Sequence, residues 1–358
     1  MDDFLVIGGG IAGLSAGARL SRHGKVTVLE AESALGYHAS GRSAALFEEN
    51  YGLAPVVALN RASAEYHRTA NGGYLSPRGF LLVGRAEDGE AFAGDMAALG
   101  LERISCGEAM DRVPILDPGM LAEAAYHAGA EDIDTDRMLQ DFAREIRRNG
   151  GRVLTGHLVE AIAHSPGWRV DAAGETFEAR ILVNAAGAWA DQVAALSGVE
   201  PVGLTPCRRS MARLPAPGGH DVTGWPLIMG VGERWYAKPD AGKLLVSPAD
   251  ADPVAPQDAW ADDMVLAEGL ARYEEMVTEP VTRVETNWAG LRSFAPDKAL
   301  VLGPDPEVPD FVWCAGQGGY GFQSAPAASQ LVADLVTGAA PAIDADMVAA
   351  LRPDRLRR

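Results

Sequence analysis

Short apolar runs that pass directly into glycine-rich turns recur along the chain and predict buried strands followed by helices. The first run, Phe4–Ile7, enters the glycines of residues 8–13 at once, and an Ala- and Leu-rich helix is predicted over Leu14–Arg22. A second predicted strand, Lys25–Leu29, ends in the acidic residue Glu30. The opening of the chain therefore has the pattern β-turn-α-β.

The first glycine turn has the spacing G-x-G-x-x-G. Gly8 permits the tight turn, Gly10 lets the backbone approach a pyrophosphate, and Gly13 lets the helix pack on the strand. The helix N-terminus then presents unpaired N–H groups and the positive end of its dipole to phosphates. Glu30 follows Gly10 by 20 residues, where a carboxylate accepts hydrogen bonds from ribose hydroxyls. This combination predicts a dinucleotide site without distinguishing NAD from FAD.

A second turn with the same glycine spacing lies near the other end of the chain. The predicted strand Phe311–Ala315 runs into Gly316–Gly321, and a helix is predicted from there through Val336. No strand with an acidic end follows, because residues 338–341 read Gly-Ala-Ala-Pro. A second dinucleotide site is therefore not favoured. The N–H groups of such a turn suit an electron-rich ring instead, such as the pyrimidine end of a flavin.

Two further segments are rich in small residues. The loop 34–45 contains Arg42 and two serines that suit phosphate and flavin contacts, although its composition also fits an ordinary surface loop. The apolar run Ala179–Ala186 predicts a core strand that leads into a small-residue turn at 187–190. Both segments fit the edge of a cofactor site.

Composition narrows the possible partners. The chain has 358 residues, 47% of them hydrophobic, with a net charge of −18 and a pI near 4.8. An acidic chain does not favour nucleic acid or anionic membranes as partners. Cys106, Cys207 and Cys314 form no CxxC pair, which fits a reducing compartment. With neither a signal segment nor an apolar run of about 18–20 residues, we expect a cytoplasmic chain without a transmembrane segment.

Over most of the chain these segments resemble the D-amino acid oxidase (DAO) family of flavoproteins, and within it the bacterial D-arginine dehydrogenase or D-amino acid dehydrogenase type. That type carries Gly-Tyr-His, then Gly-Arg-Ser-Ala-Ala, and a late Gln-Gly-Gly-Tyr-Gly. The segments that carry the resemblance here are residues 6–13, 36–45, 183–189, 288–294 and 316–323.

The resemblance implies a two-domain α/β (α+β) fold. A Rossmann-like FAD-binding domain of the glutathione reductase type would adjoin a substrate domain built on a mixed or antiparallel sheet. The FAD domain would comprise residues 1–75, 145–203 and 287–358, and the substrate domain residues 76–144 and 204–286. The predicted strands Gly79–Gly84 and Lys243–Pro248 agree with a strand-rich second domain.

The resemblance also implies that FAD is bound non-covalently. Relatives that tether the flavin through cysteine place that residue shortly after a late arginine, and no cysteine lies between Arg292 and Gly303. His38 is expected to be structural. The predicted cofactor contacts are Gly8, Gly10, Ala12, Gly13, Glu30, Ala31, Ala39, Ser40, Gly41, Arg42, Ser43, Ala44, Ala45, Val159, Ala186, Gly187, Trp189, Gly318, Gly319, Tyr320, Gly321, Phe322 and Gln323.

The same resemblance assigns the substrate contacts. Arg292 matches an arginine that clamps the α-carboxylate, a task that suits the bidentate guanidinium. Tyr236 matches a tyrosine whose hydroxyl helps to hold the carboxylate, and Tyr51 matches one on a mobile loop that closes the site. Arg209 matches a further substrate-contacting arginine. From the residues alone, the tyrosines would be half-buried core residues and Arg209 a solvated charge. The Gly319 carbonyl would receive the substrate amine, and no general base is assigned.

One substrate position departs from the D-arginine dehydrogenase pattern. Phe80 stands where that type places an acid that contacts the guanidinium of the substrate D-arginine. Leu46 and Glu48 stand where the related loop has a His and a Thr. We therefore expect a D-amino acid with an apolar or aromatic side chain and weak activity on D-arginine, with Glu48 restoring some affinity for cations. Hydride transfer from Cα to flavin N5 would give an imino acid, which hydrolyses to a 2-oxo acid and ammonia.

Two alternatives remain open at this point. The same scaffold serves oxidation of glycine, sarcosine or a 2-hydroxy acid, because the arginine clamp suits any of these carboxylates. A flavin-bearing accessory subunit without its own turnover is the second alternative, which retention of Arg292, Tyr236 and Tyr51 disfavours. The electron acceptor is expected, from the subgroup resemblance, to be a quinone or another carrier, with O2 as the alternative.

Overall fold

The computed structural model describes residues 1–357 of the chain. Its strands, numbered in chain order, are β1 (Asp2–Ile7), β2 (Val26–Leu29), β3 (Leu46–Phe47), β4 (Leu75–Pro77), β5 (Phe80–Gly84), β6 (Glu102–Ile104), β7 (Glu123–His127), β8 (Glu131–Ile133), β9 (Arg152–Leu154), β10 (Val159–His164), β11 (Trp168–Ala172), β12 (Glu175–Asn184), β13 (Thr205–Leu214), β14 (Leu227–Gly230), β15 (Tyr236–Asp240), β16 (Lys243–Ser247), β17 (Thr286–Phe294), β18 (Val301–Pro304) and β19 (Phe311–Ala315). Its helices are α1 (Ile11–Leu20), α2 (Ala54–Thr69), α3 (Gly89–Leu99), α4 (Cys106–Arg112), α5 (Thr135–Arg148), α6 (Ala190–Leu196), α7 (Asp263–Glu274), α8 (Gly321–Thr337) and α9 (Ala345–Ala349).

The first sheet is built around β1. Parallel pairing joins β1 to β2 and to β12, β2 to β9, and β12 to β19, while β10, β11 and β18 extend the sheet by antiparallel pairing. Phe4 and Val6 pack on one face in a core shared with α1, α5 and α8, and Leu5 and Ile7 pack on the other face. Burial on both faces explains why this strand is a continuous apolar run rather than an alternating one.

The second sheet has the strand order β17-β13-β16-β15-β14-β5-β7-β6 and is antiparallel except where β14 pairs with β5. Alternate residues enter two different cores: Leu81 and Ile228 lie in one, and Phe80, Leu227 and Met229 in the other. A three-stranded sheet, β3-β8-β4, accompanies it. This mixed sheet and the parallel β-α-β unit confirm the predicted α/β fold class.

Element boundaries differ from the predictions by a few residues. Helix α1 begins at Ile11 rather than Leu14, because Gly10 is the extended N-cap residue and helical geometry starts directly after it. The helix ends at Leu20, short of the predicted Arg22. Strand β12 begins at Glu175, ahead of the predicted Ala179, because its first half pairs with β11 in a hairpin.

The predicted division into domains stays a proposal, and two elements bear on its limits. Helix α5 crosses the predicted boundary between residues 144 and 145 and packs as a unit against α1. Strand β17 was assigned to the FAD domain but pairs with β13 in the second sheet. Within residues 1–357, no helix is long and apolar enough to cross a membrane.

Candidate active site

At two positions of the first glycine turn, neighbouring backbone atoms leave no room for a side chain. A Cβ on Gly8, where φ is +111°, would lie 2.3 Å from the carbonyl oxygen of Ala185, and one on Gly13 would lie 1.9 Å from the oxygen of Gly8. A Cβ on Gly10 would meet only the Ser40 hydroxyl, at 3.2 Å. Gly8 and Gly13 therefore allow turn and helix to meet, and Gly10 leaves the backbone open to the cavity.

Glu30 lies directly after β2 and is buried. Its carboxylate accepts hydrogen bonds from the backbone N–H groups of Gly9, at 2.6 Å, and Glu32, at 2.9 Å. These bonds fix the acid beside the glycine turn, where it lines the cavity. Its predicted contact with a ribose remains a proposal.

The small-residue loop packs against the start of α1. The hydroxyl of Ser40 accepts a hydrogen bond from the N–H of Ile11 at 3.0 Å. The guanidinium of Arg42 donates to the carbonyls of Ala259 and Ala289, at 2.8 and 2.9 Å, and is paired with Asp258. Ser40 and Arg42, which we expected to contact phosphate or flavin, therefore use many of their hydrogen bonds to hold the loop against the rest of the protein.

The second glycine turn joins β19 to α8 as predicted. Gly318 has φ of +51°, and a Cβ there would lie 2.4 Å from the ring of Phe294. Its N–H donates to the carbonyl of Ser293 at 2.9 Å, which attaches the turn to the end of β17. Helix α8 then begins at Gly321 with no side-chain cap, so its first N–H groups are available to a ligand.

Both glycine turns lie on the wall of one cavity of about 530 Å³. The cavity gathers residues from both large sheets and from the loops between them. The predicted cofactor residues on its wall are Gly8, Gly10, Ala12, Glu30, Ala31, Ala39, Ser40, Arg42, Ser43, Ala44, Ala45, Val159, Ala186, Gly187, Trp189, Gly318, Gly319, Gly321, Phe322 and Gln323.

Three predicted cofactor residues lie behind that wall. Gly13 packs against the oxygen of Gly8, and Gly41 donates its N–H to the carbonyl of Gly36 at 2.6 Å. Tyr320 places its ring 5.4 Å from that of Tyr51. Their observed contacts support the shape of the turns rather than the cavity surface.

All six predicted substrate residues line the same cavity. The register of β13 against β17 pairs Cys207 with Arg292 and Arg209 with Gly290. Because residues two apart on a strand share a face, both guanidiniums project from one face of the sheet. Gly319 fits directly against Arg292, since a Cβ there would lie 2.9 Å from Nη1 of the arginine.

The site also contains a carboxylate that the sequence did not reveal. Glu233 accepts a hydrogen bond from Nη1 of Arg209 at 2.8 Å, and its Oε1 lies 3.7 Å from Nη1 of Arg292. The hydroxyl of Tyr51 donates to the two Glu233 oxygens at 3.2 and 3.1 Å. The guanidinium of Arg209 also lies over the ring of Tyr236, 5.9 Å from its centre. Arg209 is therefore a buried, paired cation rather than a solvated one.

Burial and charge together shift the ionisation of this cluster. Burial acts to raise the pKa of Glu233, but the positive charges of Arg209 and Arg292 outweigh it and hold the pKa below its ordinary value. Burial raises the pKa of Tyr51, and the Glu233 carboxylate raises it further. Burial lowers the pKa of Arg292, yet Tyr51, Tyr236 and Glu233 outweigh that and raise it. At neutral pH Arg292 and Glu233 are therefore charged and Tyr51 is neutral.

A second wall of the cavity is largely apolar. Phe80 is buried in a cluster with Met211, Leu227 and Met229. Glu48 also lines the cavity, but its carboxylate lies 2.6 Å from Nε2 of His127.

The sequence analysis missed Glu233, which lines the cavity, and His127, which bonds to the cavity residue Glu48. Glu233 and His127 belong to no motif; the only sequence signal for Glu233 was an acid inside a glycine-rich turn just before Tyr236. His38, expected to be structural, lies 3.0 Å from Glu32 and its ring packs against Trp189. Together, the fold and the cavity define a nucleotide-cofactor-binding protein of the α/β class.

Comparisons with known proteins narrow that class. The family model described as FAD dependent oxidoreductase (DAO) matches residues 3–335. Glycine oxidase of Geobacillus kaustophilus is 25% identical to this chain over 371 residues, covering 96% of this chain and 94% of the relative. FAD-dependent oxidoreductase domain-containing protein 1 of Bos taurus is 25% identical over 396 residues, covering 93% of this chain and 81% of the relative.

Solved structures show the same fold. L-proline dehydrogenase from P. horikoshii has a TM-score of 0.84 at 22% identity, covering 99% of this chain and 98% of the other. Glycine oxidase from Geobacillus kaustophilus has a TM-score of 0.81 at 24% identity, covering 97% of both chains. The chain belongs to the DAO family of FAD dependent oxidoreductases.

FAD, the cofactor of this family, fits the donors of the cavity. The glycine turns at residues 8–13 and 316–321 both lie on its wall, and the helices that follow them have no side-chain caps. The side-chain nitrogen of Gln323 is buried in the wall without a hydrogen-bond partner. A buried unpaired donor of this kind is costly unless a ligand accepts its hydrogen bond.

Proposed function

We propose that the chain oxidises an amino acid at its α-carbon, with the substrate carboxylate bound by Arg292. The observation that carries the proposal is the cluster of Arg292, Arg209, Tyr51 and Tyr236 on the wall of the cavity that also holds the second glycine turn. Arg292 lies 3.7 Å from the Glu233 carboxylate, while Arg209 also donates through Nε to the carbonyl of Asp250 at 2.7 Å. Guanidiniums on a cavity wall suit an anionic ligand. The cluster therefore supports a small carboxylate as the substrate.

Each residue of the site has a task in this reaction. FAD, when bound, accepts the hydride from the substrate Cα. Arg292 orients the carboxylate through parallel N–H donors, and Tyr236, on β15 of the same sheet, supplies a further donor. Gly319 lies against Arg292, and its carbonyl accepts a hydrogen bond from the substrate amine. The apolar wall excludes water from the reacting carbon.

We propose a D-amino acid with an apolar or aromatic side chain as the preferred substrate. Phe80, Met211 and Leu227 offer a side chain an apolar surface. The carboxylate of Glu48 already shares a hydrogen bond of 2.6 Å with Nε2 of His127, so it is less available to a cationic substrate side chain than its position in the sequence suggested. This arrangement supports the predicted weak activity on D-arginine. The resemblance to the D-arginine dehydrogenase type would then extend to the fold but not to the preferred substrate.

Glycine or sarcosine is the second candidate substrate, and it has comparable support. The relative that covers 96% of this chain is named glycine oxidase. The cluster around Arg292 serves the carboxylate of glycine as well as that of a larger amino acid. Neither compound has a side chain on Cα that could contact the apolar wall, so the wall would then serve only to exclude water.

Anaerobic mixing of the holoenzyme with a substrate panel tests the proposal. The panel comprises D-phenylalanine, D-leucine, their L-enantiomers, glycine, sarcosine and a 2-hydroxy acid. We expect loss of the oxidised flavin absorbance with D-phenylalanine or D-leucine ahead of the other compounds. Preferential bleaching by glycine or sarcosine would select the second candidate. Absence of bleaching with every compound would contradict both and favour an accessory flavoprotein.

We also propose a quinone or another carrier as the electron acceptor, rather than O2. Its support is the subgroup resemblance in the loop at 36–45 and the turn at 316–323. Peroxide formed in air-saturated buffer at the rate of substrate oxidation would contradict this choice.

A further inference from the structure

Glu233 occupies the position between the groups to which the substrate carboxylate is assigned. It ends the 3-10 turn Val231–Glu233, which connects β14 to β15. Its carboxylate touches Arg209 at 2.8 Å and the hydroxyl of Tyr51 at 3.1 Å, and it lies 3.7 Å from Arg292. The chain therefore already holds one of its own carboxylates in the clamp.

The charge of Glu233 makes it a competitor for an incoming anion. The positive charges of Arg209 and Arg292 keep its pKa below the ordinary value although burial acts in the opposite direction, so it stays ionised at neutral pH. A second carboxylate brought between the same guanidiniums would meet this anion at close range, which is unfavourable in a site shielded from water. Binding of a substrate carboxylate therefore requires Glu233 to give up some of its contacts.

The local backbone suits such an exchange. Glu233 belongs to no strand and has φ of +51°, directly after Gly232 with φ of +70°. A non-glycine residue in this left-handed region is strained. Its side chain is 32% exposed, whereas that of Arg209 is 11% exposed. The carboxylate thus has a route out of the clamp that the arginine lacks.

We propose that Glu233 determines specificity as an internal carboxylate that the substrate carboxylate replaces. Exchanging one carboxylate for another yields little net free energy, so a ligand that offers only a carboxylate binds weakly. Recognition then depends on the other contacts, which are the amine at the Gly319 carbonyl and the side chain at Phe80. The proposal rests on the proposed function in assigning the substrate carboxylate to Arg292.

The test measures binding of carboxylates that lack an amine. Acetate and 3-phenylpropanoate, the deaminated forms of glycine and phenylalanine, are titrated into the holoenzyme while the flavin absorbance spectrum is followed. In Glu233→Gln we expect dissociation constants lower by about tenfold or more. Glu285→Gln removes a carboxylate paired with Lys243 at 2.8 Å outside the cavity lining, and we expect it to bind both acids as the unmodified protein does. Unchanged or weaker binding in Glu233→Gln would overturn the proposal.

If the variant loses its flavin, a structure of the unmodified holoenzyme with 3-phenylpropanoate provides an independent test. We expect the ligand carboxylate at Arg292 and Glu233 displaced from Arg209. A Glu233 still bonded to Arg209 beside the bound ligand would overturn the proposal. Neither measurement requires turnover, so failure of the substrate panel would reject the proposed function without deciding the role of Glu233.

Discussion

Single residues set the chemistry of the site through their strand positions. The pairing of β13 with β17 places Arg209 diagonally across from Arg292 on one face of the sheet. Neighbouring Arg208 points to the opposite face and pairs with Asp252 at 3.1 Å. One step in sequence therefore decides which guanidinium is available to a substrate, because Arg209 lines the cavity and Arg208 does not.

Replacing Arg292 tests the clamp directly. Arg292→Met removes the donors assigned to the substrate carboxylate while keeping much of the side-chain volume. We expect kcat/KM to fall by about 100-fold or more, mainly through a higher KM. Arg283→Met, at a side chain that is 69% exposed, serves as the control and should leave steady-state kinetics unchanged. A normal KM in Arg292→Met would show that Arg292 does not bind the substrate carboxylate.

Phe80 makes a prediction about the unmodified enzyme. Its ring lies in the apolar cluster where the D-arginine dehydrogenase type carries an acid, and the neighbouring His127 ring lies 6.3 Å from it. We expect kcat/KM for D-phenylalanine and D-leucine to exceed that for D-arginine by about tenfold or more, since an unpaired guanidinium against this wall is costly. Better turnover of D-arginine than of D-leucine would show the assignment of Phe80 to be wrong.

At the scale of elements, two strand-turn-helix units hold the cavity open between them. Helix α1 follows β1 through the first glycine turn, and α8 follows β19 through the second. The two helices pack against each other, and α2 packs against α8. His67 on α2 bonds through Nε2 to the carbonyl of Gln323 at 2.9 Å, which ties α2 to the first turn of α8.

The packing of α1 on β1 depends on the absence of a side chain at Gly13. Gly13→Ala would place a Cβ 1.9 Å from the backbone oxygen of Gly8, so the turn must open. We expect the purified protein to lose most of its FAD and to unfold at lower temperature. Gly94→Ala, in the exposed helix α3 where a Cβ meets nothing within 4 Å, should keep its FAD and gain about 0.5–1 kcal/mol. Full flavin content in Gly13→Ala would contradict the packing argument.

His67 predicts how stability depends on pH. Burial lowers its pKa to about 4, from an ordinary value of 6.5. The unfolded chain gains a proton at this residue below pH 6.5, and the folded chain does so only near pH 4. Its contribution is therefore fully present above pH 6.5, and roughly 3 kcal/mol of stability is lost as the pH falls from 6.5 to 4.

Urea unfolding across this pH range checks the His67 prediction. In His67→Gln, which keeps a side-chain donor but does not titrate in this range, we expect that part of the pH dependence to disappear. The exposed His220→Gln serves as the control and should follow the unmodified protein. Parallel pH profiles for the His67→Gln variant and the unmodified protein would contradict the prediction.

At the scale of the whole molecule, sequence patterns predicted features formed by neighbouring residues but not the contacts of Glu233 with distant segments. The glycine turns and the strands that enter them were predictable because each is encoded in a few consecutive residues, whereas the fold class followed from a resemblance over most of the chain. The role of Glu233 was not, because its partners Arg209 and Tyr51 come from distant segments that only the sheet brings together. The limits of α1 were misjudged because a glycine N-cap has no side-chain signal.

The attachment of the flavin is a further prediction for the whole molecule. No cysteine is among the cavity-lining residues of the described chain, and burial raises the pKa of Cys314 to about 12, which leaves its thiol unreactive. After acid precipitation we expect the yellow colour in the supernatant. Colour retained in the protein pellet would demonstrate a covalent bond.

Anaerobic single-turnover reduction by a substrate deuterated at Cα tests the central claim most directly. We expect D-phenylalanine, D-leucine or glycine to bleach the bound FAD once per active site, and deuterium at Cα to slow the bleaching. In Arg292→Met we expect bleaching only at much higher substrate concentration. Absence of bleaching by every amino acid tested, in a protein that retains its FAD, would contradict the claim that this cavity oxidises an amino acid.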